Sequence, residues 1–148
     1  MSGTEKITIR PMVPDDVDNI VAINTKIAGA DRALTYASPR YSYLGGELSI
    51  SMVAEVDGKI VGFILGRLED SARGWLDAWT HFMGVDPDYY RQGVGTKLME
   101  GFITRCKAQG AKAVHMMVNW NDWKIVAFLQ SLGFSRGNMV DFVASVEE

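Results

Sequence analysis

The stretch Val85-Asp-Pro-Asp-Tyr-Tyr-Arg-Gln-Gly-Val-Gly-Thr-Lys-Leu98 constrains the fold of this chain more than any other. Proline lacks the N–H that a strand ladder needs, so Asp86-Pro87 closes the apolar strand run before it. Beyond Gly93 and Gly95, residues Leu98, Met99, Phe102, Ile103 and Cys106 recur as one apolar helix face, with Gly110 placed to cap its end. A strand, a short turn and a glycine-opened helix leave backbone N–H groups that a ligand can approach closely. The helix dipole adds positive potential there, which suits a phosphate or pyrophosphate. The plainer alternative is a glycine-rich turn without a ligand. Two phosphate-binding patterns fail. A P-loop requires G-x-x-x-x-G-K-[ST], whereas Thr96 precedes Lys97 here and the glycine spacing differs. A dinucleotide fingerprint requires a third glycine or alanine where Leu98 stands, and a parallel βαβ unit around the turn.

The preceding strand reads instead as part of an antiparallel meander. Met52–Val56 and Lys59–Leu68 flank Asp57-Gly58, a strong hairpin signal, and Trp75–Val85 follows the turn at 69–74. Upstream, Ile7-Thr-Ile-Arg10 alternates as a short strand, and Asp15-Asp16 opens a helix that Gly29 ends. Downstream, Ala113–Val118 reads as a strand and Trp123–Ser131 as a helix ending at Gly133. Val140, Phe142, Ala144 and Val146 alternate as a last strand. Residues 30–49 show no sustained period and read as an irregular or functional loop. Strands and helices in this order imply a mixed sheet with helices packed on it.

Composition narrows the function classes. A chain of 148 residues with 47% hydrophobic residues suits one folded domain rather than disorder. Its net charge of −3 argues against a broad nucleic-acid surface. A single cysteine makes no internal disulfide, and no His/Cys/carboxylate spacing suggests a metal site. No apolar run approaches the roughly 20 residues that cross a bilayer, and residues 1–10 lack a signal-peptide core. The expectation is a cytoplasmic protein that binds neither membrane nor nucleic acid.

The loop resembles the pyrophosphate loop of the GNAT superfamily of acetyl-CoA-dependent N-acetyltransferases, whose signature is [QR]-x-x-G-x-[GA] after a strand ending V-x-P. Val85-Asp86-Pro87 supplies the second part and Tyr90-Arg-Gln-Gly-Val-Gly95 the first, with Tyr90 where Gln or Arg is usual. The resemblance extends to Ile7–Pro11 with Asp15-Asp16, to the Asp57-Gly58 hairpin with Ile60–Phe63, and to Phe128–Phe134. It implies an α/β (α+β) fold in a single domain over 1–148, with a mixed, mainly antiparallel sheet of six to seven strands flanked by helices. It implies acetyl-CoA as acetyl donor, held by Met83, Gly84, Val85, Arg91, Gln92, Gly93, Val94, Gly95 and Thr96. Asn121 or Asp122 stands where relatives often contact the cofactor, although Asp122 also suits a helix N-cap.

The implied reaction is direct attack of an amine on the thioester, which needs a base because an alkylammonium of pKa about 10 is not nucleophilic. His81, four residues before Val85, is where relatives often place Glu or His. A histidine's ordinary pKa suits that role, although a strand rich in Trp and Phe could also hold His81 structurally. Asp77 reads as a solvated strand residue or a base acting through water, and His115 as structural. The position where many members carry a proton-donating Tyr holds Leu129, so the thiolate leaves unprotonated, takes a proton from water, or receives one from a loop tyrosine such as Tyr36, Tyr41 or Tyr43. Cys106 reads as core, and the four tryptophans as core or cleft walls. The acceptor is a small-molecule or peptide amine. Arg32 and Arg40 hint at an anionic group on it, and the lack of an acidic tract gives no support for a polycation. A homodimer is compatible with the resemblance. Leu129 and Tyr90 favour a different class, a catalytically poor acyl-CoA sensor, and a nucleotide-binding protein is a third reading.

Overall fold

The computed structural model of the chain describes residues 6–28, 47–71 and 73–147. Among them run β1 (Ile7–Pro11), a 3-10 turn (Pro14–Asp16), α1 (Val17–Ala28), β2 (Met52–Val56), β3 (Lys59–Asp70) and β4 (Leu76–Val85). A second 3-10 turn (Pro87–Tyr89), α2 (Val94–Ala108), β5 (Val114–Met116) and α3 (Trp123–Ser131) follow. The chain divides into two compact units, residues 1–117 and 118–148.

The first unit contains one sheet of five strands in the order β1-β2-β3-β4-β5. The first three pairings are antiparallel, and β5 lies parallel to β4. Asp57 and Gly58 both adopt positive φ, the geometry a tight hairpin between twisted strands requires. Side chains alternate across β3, so consecutive residues meet different helices. Phe63 and Leu65 pack in a core cluster with Ile20 and Ile23 of α1 and with Val53. Gly62 and Gly66 face α2 instead. A Cβ at Gly62 would meet Leu98 at 2.9 Å, and one at Gly66 would overlap the Phe102 ring. These two glycines let α2 lie close on the sheet, with Val94, Leu98, Met99, Phe102 and Cys106 all buried.

Both longer helices that end on a described glycine close in the same way. Gly110 has φ 95°, and Ala111 N donates to Cys106 O at 3.0 Å while Gly110 N donates to Lys107 O. In the second unit Gly133 has φ 93°, and Phe134 N donates to Leu129 O at 3.0 Å. This is the Schellman arrangement, which satisfies the last carbonyls of a helix.

Five strands stand among the described residues against the expected six to seven, and the segment with Val140, Phe142, Ala144 and Val146 is not a strand. Alternation by itself makes no strand: the segment has no ladder partner, and Val140, Phe142 and Val146 are exposed. The second unit therefore holds α3 and, among the described residues after it, no further helix or strand. Gly29 and the readings on residues 30–46 lie outside the described residues.

Candidate active site

One strand, β4, organises the candidate site. Leu65 pairs with Phe82 and Gly66 with Thr80, so β4 has one residue in excess, and that residue is His81. A bulge of this kind interrupts the ladder and re-aims the side chain it carries. Beside it, β5 ends at Met116, opposite Thr80. From His81 to Val85, β4 therefore runs on with no parallel neighbour among the described residues. A cleft of about 370 Å³ is lined by Glu69, Trp79, Thr80, His81 and Met117.

His81 opens to solvent across much of its surface, yet partial desolvation lowers its pKa below the ordinary histidine value. The charge of Arg67 lowers it further, and that of Glu69 opposes the shift. The imidazole is thereby neutral at physiological pH, the state a proton acceptor needs. Its ring also stands 6.5 Å from that of Phe82, tilted by 56°.

At its far end β4 delivers the glycine loop. Asp86 N donates to Val61 O at 2.8 Å, and Val61 is itself the extra residue of a bulge in β3 opposite Ala54 and Glu55. The Asp86 carboxylate is buried and accepts from Asp88 N at 2.9 Å. Lys26 Nζ lies 2.8 Å from Asp86 Oδ1 and 2.7 Å from Asp88 Oδ2. Burial raises the Asp86 pKa, but the Lys26 bond and the Asp88 N–H outweigh it and leave a net lowering. Arg91 has φ 64° and Gly93 φ 84°, so two positions two residues apart are left-handed. Backbone with such residues curls its N–H groups inward around an anion. Lys97 N donates to Gly93 O at 3.0 Å. The N–H groups of Val94, Gly95 and Thr96 precede that bond and have no partner within the helix. Gly93 offers no side-chain cap and the first turn of α2 holds no acidic residue. These features together fit a phosphate.

The site residues expected from the sequence thus divide. Met83, Gly84, Val85, His81 and the Arg91–Thr96 loop all lie on β4 or on the turn and helix it feeds. Asn121 and Asp122 belong to the second unit. There Asp122 caps α3, its carboxylate accepting from Ile125 N at 3.3 Å, while Asn121 N donates to Asn119 Oδ1. Leu129 is buried on α3. Asp77 is not a solvated residue: its Oδ2 meets His115 Nε2 at 3.0 Å, and its Oδ1 is buried with no partner among the described residues. His115 also stacks on Trp79, with ring centroids 4.3 Å apart. Trp79 is a cleft wall, whereas Trp75, Trp120 and Trp123 are exposed and so are not core. Cys106 is fully buried, and desolvation pushes its thiol up to about 12, so it is core. No cluster of His, Cys, Asp and Glu suited to a metal is present among the described residues. No described helix is long and apolar enough to cross a membrane. Arg32, Arg40, Tyr36, Tyr41 and Tyr43 lie outside the described residues.

Sequence reasoning missed Lys26 and Glu69. Neither stands in a motif, and only the long-range pairing of α1 with the turn and of β3 with β4 brings them into play.

Comparison with known proteins agrees with this geometry. Residues 20–134 match the acetyltransferase (GNAT) family. An acetyltransferase of Pectobacterium atrosepticum is 28% identical over 91 residues, spanning 62% of this chain and 61% of that protein. The [ribosomal protein bS18]-alanine N-acetyltransferase of Escherichia coli is 27% identical over 108 residues, spanning 72% of this chain and 69% of that protein. Among solved structures, an aminoglycoside acetyltransferase from an uncultured soil metagenomic sample, in complex with trehalose, superposes with a TM-score of 0.73 at 17% identity. That match covers 95% of this chain and 97% of the other, and it shows a shared fold. The chain belongs to the acetyltransferase (GNAT) family of acyltransferase enzymes.

Proposed function

We propose that this chain is a single-domain N-acetyltransferase that moves an acetyl group from acetyl-CoA to a primary amine. The acceptor is a small metabolite or the N-terminus of a peptide or protein. The observation that carries the reading is the division of labour along β4. A neutral imidazole stands at the His81 bulge, and the anion-binding turn begins where the same strand ends.

The residues present fit the donor. The left-handed Arg91 and Gly93, the free N–H groups of Val94, Gly95 and Thr96, and the Arg91 charge would hold its pyrophosphate. Met83, Gly84 and Val85, on the part of β4 that β5 leaves unpaired, would hold its pantetheine arm through backbone groups. Asn121 and Asp122 are further candidates for that arm. When bound, acetyl-CoA supplies an acetyl group activated as a thioester. His81 takes the proton that the incoming ammonium must lose. A backbone N–H on the stretch of β4 beyond the end of β5 would donate to the developing oxyanion. Leu129 can donate no proton, so the leaving thiolate, whose pKa is about 8.5 by analogy with cysteine, takes one from solvent or departs as the anion.

The test is release of CoA thiol from acetyl-CoA against a panel of primary amines, amino acids and short peptides. Amine-dependent release with an acetylated product supports the reading. Tight binding of acetyl-CoA with no turnover on any amine would instead support an acyl-CoA sensor, the reading that buried Leu129 favours.

A further inference from the structure

Trp79 forms a wall of the His81 cleft, and two residues that do not line the cleft hold its ring. The strand register sets Trp79 beside His115 of β5, and their rings stack with centroids 4.3 Å apart and planes inclined by 13°. Side chains two apart on a strand share a face, so Asp77 lies on the Trp79 side of β4. From there its Oδ2 accepts a hydrogen bond from His115 Nε2 at 3.0 Å. A carboxylate only accepts, so the proton sits on Nε2 and the bond fixes the plane of the imidazole. That plane in turn fixes the indole lying against it.

The strand that carries His115 has only three residues, Val114–Met116, and ends the sheet among the described strands. Met117, another wall of the cleft, follows it directly. The Asp77–His115 bond therefore joins the strand that carries Trp79 to the strand that leads into Met117. As a stability device the arrangement is poor, because Asp77 Oδ1 is buried with no partner among the described residues. Its benefit lies in the cleft: a wall already ordered spares the acceptor the cost of ordering it. We propose that Asp77 and His115 are positioning residues for the acceptor, holding the Trp79 indole ready for the apolar part of an amine substrate. This rests on the acetyltransferase reading of the cleft. Both residues act through Trp79, and neither is the acid or the base of the reaction.

The experiment measures acetylation of pentylamine by the full chain, since its alkyl chain can lie on the indole. His115→Ala should raise the pentylamine KM about fivefold, the scale of immobilising one free side chain on binding. The kcat and the KM for acetyl-CoA should stay near wild type, the pattern of lost uniform binding. The near-UV circular dichroism that Trp79→Phe removes should shrink in His115→Ala as well. His115→Ala also leaves the Asp77 carboxylate without its partner and should lower Tm. The double variant Asp77→Ala/His115→Ala removes that carboxylate, so Tm should recover while the pentylamine KM stays high. Asp77→Asn should keep the KM near wild type, because its amide oxygen still accepts from Nε2–H. A KM that returns with Tm in the double variant marks a purely structural pair and overturns the proposal. So does an unchanged KM in His115→Ala, or a wild type that acetylates other amines but not pentylamine; in each case the acetyltransferase reading stands. If wild type releases no CoA thiol with any amine, that reading falls and the proposal with it.

Discussion

The Lys26 ammonium, on the last turn of α1, lies 2.8 Å from the buried Asp86 carboxylate that begins the turn after β4. This contact ties a helix on one side of the sheet to the loop proposed to hold the donor phosphates. Asp86→Ala removes the acceptor for Asp88 N–H and should cost about 1 kcal/mol, as loss of a capping side chain does. Urea unfolding measures it. Lys26→Ala should raise the KM for acetyl-CoA with little change in kcat at saturating donor. The Asp86 pKa is lowered on folding, so its stabilisation is present above the ordinary value of 3.8 and is lost as pH falls through the folded value. Unfolding followed across pH 2 to 6 should show a steeper acid loss in wild type than in Asp86→Ala.

Gly66 sits where a side chain would enter the Phe102 ring and come within 2.9 Å of Trp79 O. Gly66→Ala should therefore destabilise by about 1–3 kcal/mol, the usual range for overpacking a close helix–sheet contact. Unfolding in denaturant, read by tryptophan fluorescence, gives the value.

A methyl group at Gly93 would project into open space, but the backbone there has a φ of 84°. Gly93→Ala should cost about 1 kcal/mol through backbone strain alone, with no clash to add. Its effect on donor binding separates the two roles of the loop. A rise in the acetyl-CoA KM beyond what the stability change explains marks backbone contact with the phosphates.

Cys106 carries a thiol pushed up to about 12 by desolvation. In the native protein it should resist iodoacetamide at pH 8 and react only after unfolding. No acetyl group should remain on the protein after incubation with acetyl-CoA alone, as the proposed direct transfer requires.

Much of this was legible in the sequence, for local reasons. Asp57-Gly58 specified a hairpin through its positive φ, and Gly110 and Gly133 specified helix ends in the same way. The helix after Gly93 followed from its period, and its buried face is the one the spacing indicated. What was not legible depends on pairing. The bulge that singles out His81 exists only in the register of β3 against β4. Asp77 read as solvated until β5 brought His115 to it. Lys26 gives no signal until α1 is packed near residue 86. The alternation after Val140 misled because a strand needs a neighbour as well as a pattern.

The most direct test of the account is the pH dependence of kcat/KM for acceptor in wild type and in His81→Ala. The base must be neutral, so wild-type activity should rise with pH through a pKa below the ordinary histidine value of 6.5. His81→Ala should lower kcat/KM by about 10²-fold or more and lose that titration. A variant with near-normal activity and an unchanged pH profile would contradict the assignment of His81 as the base.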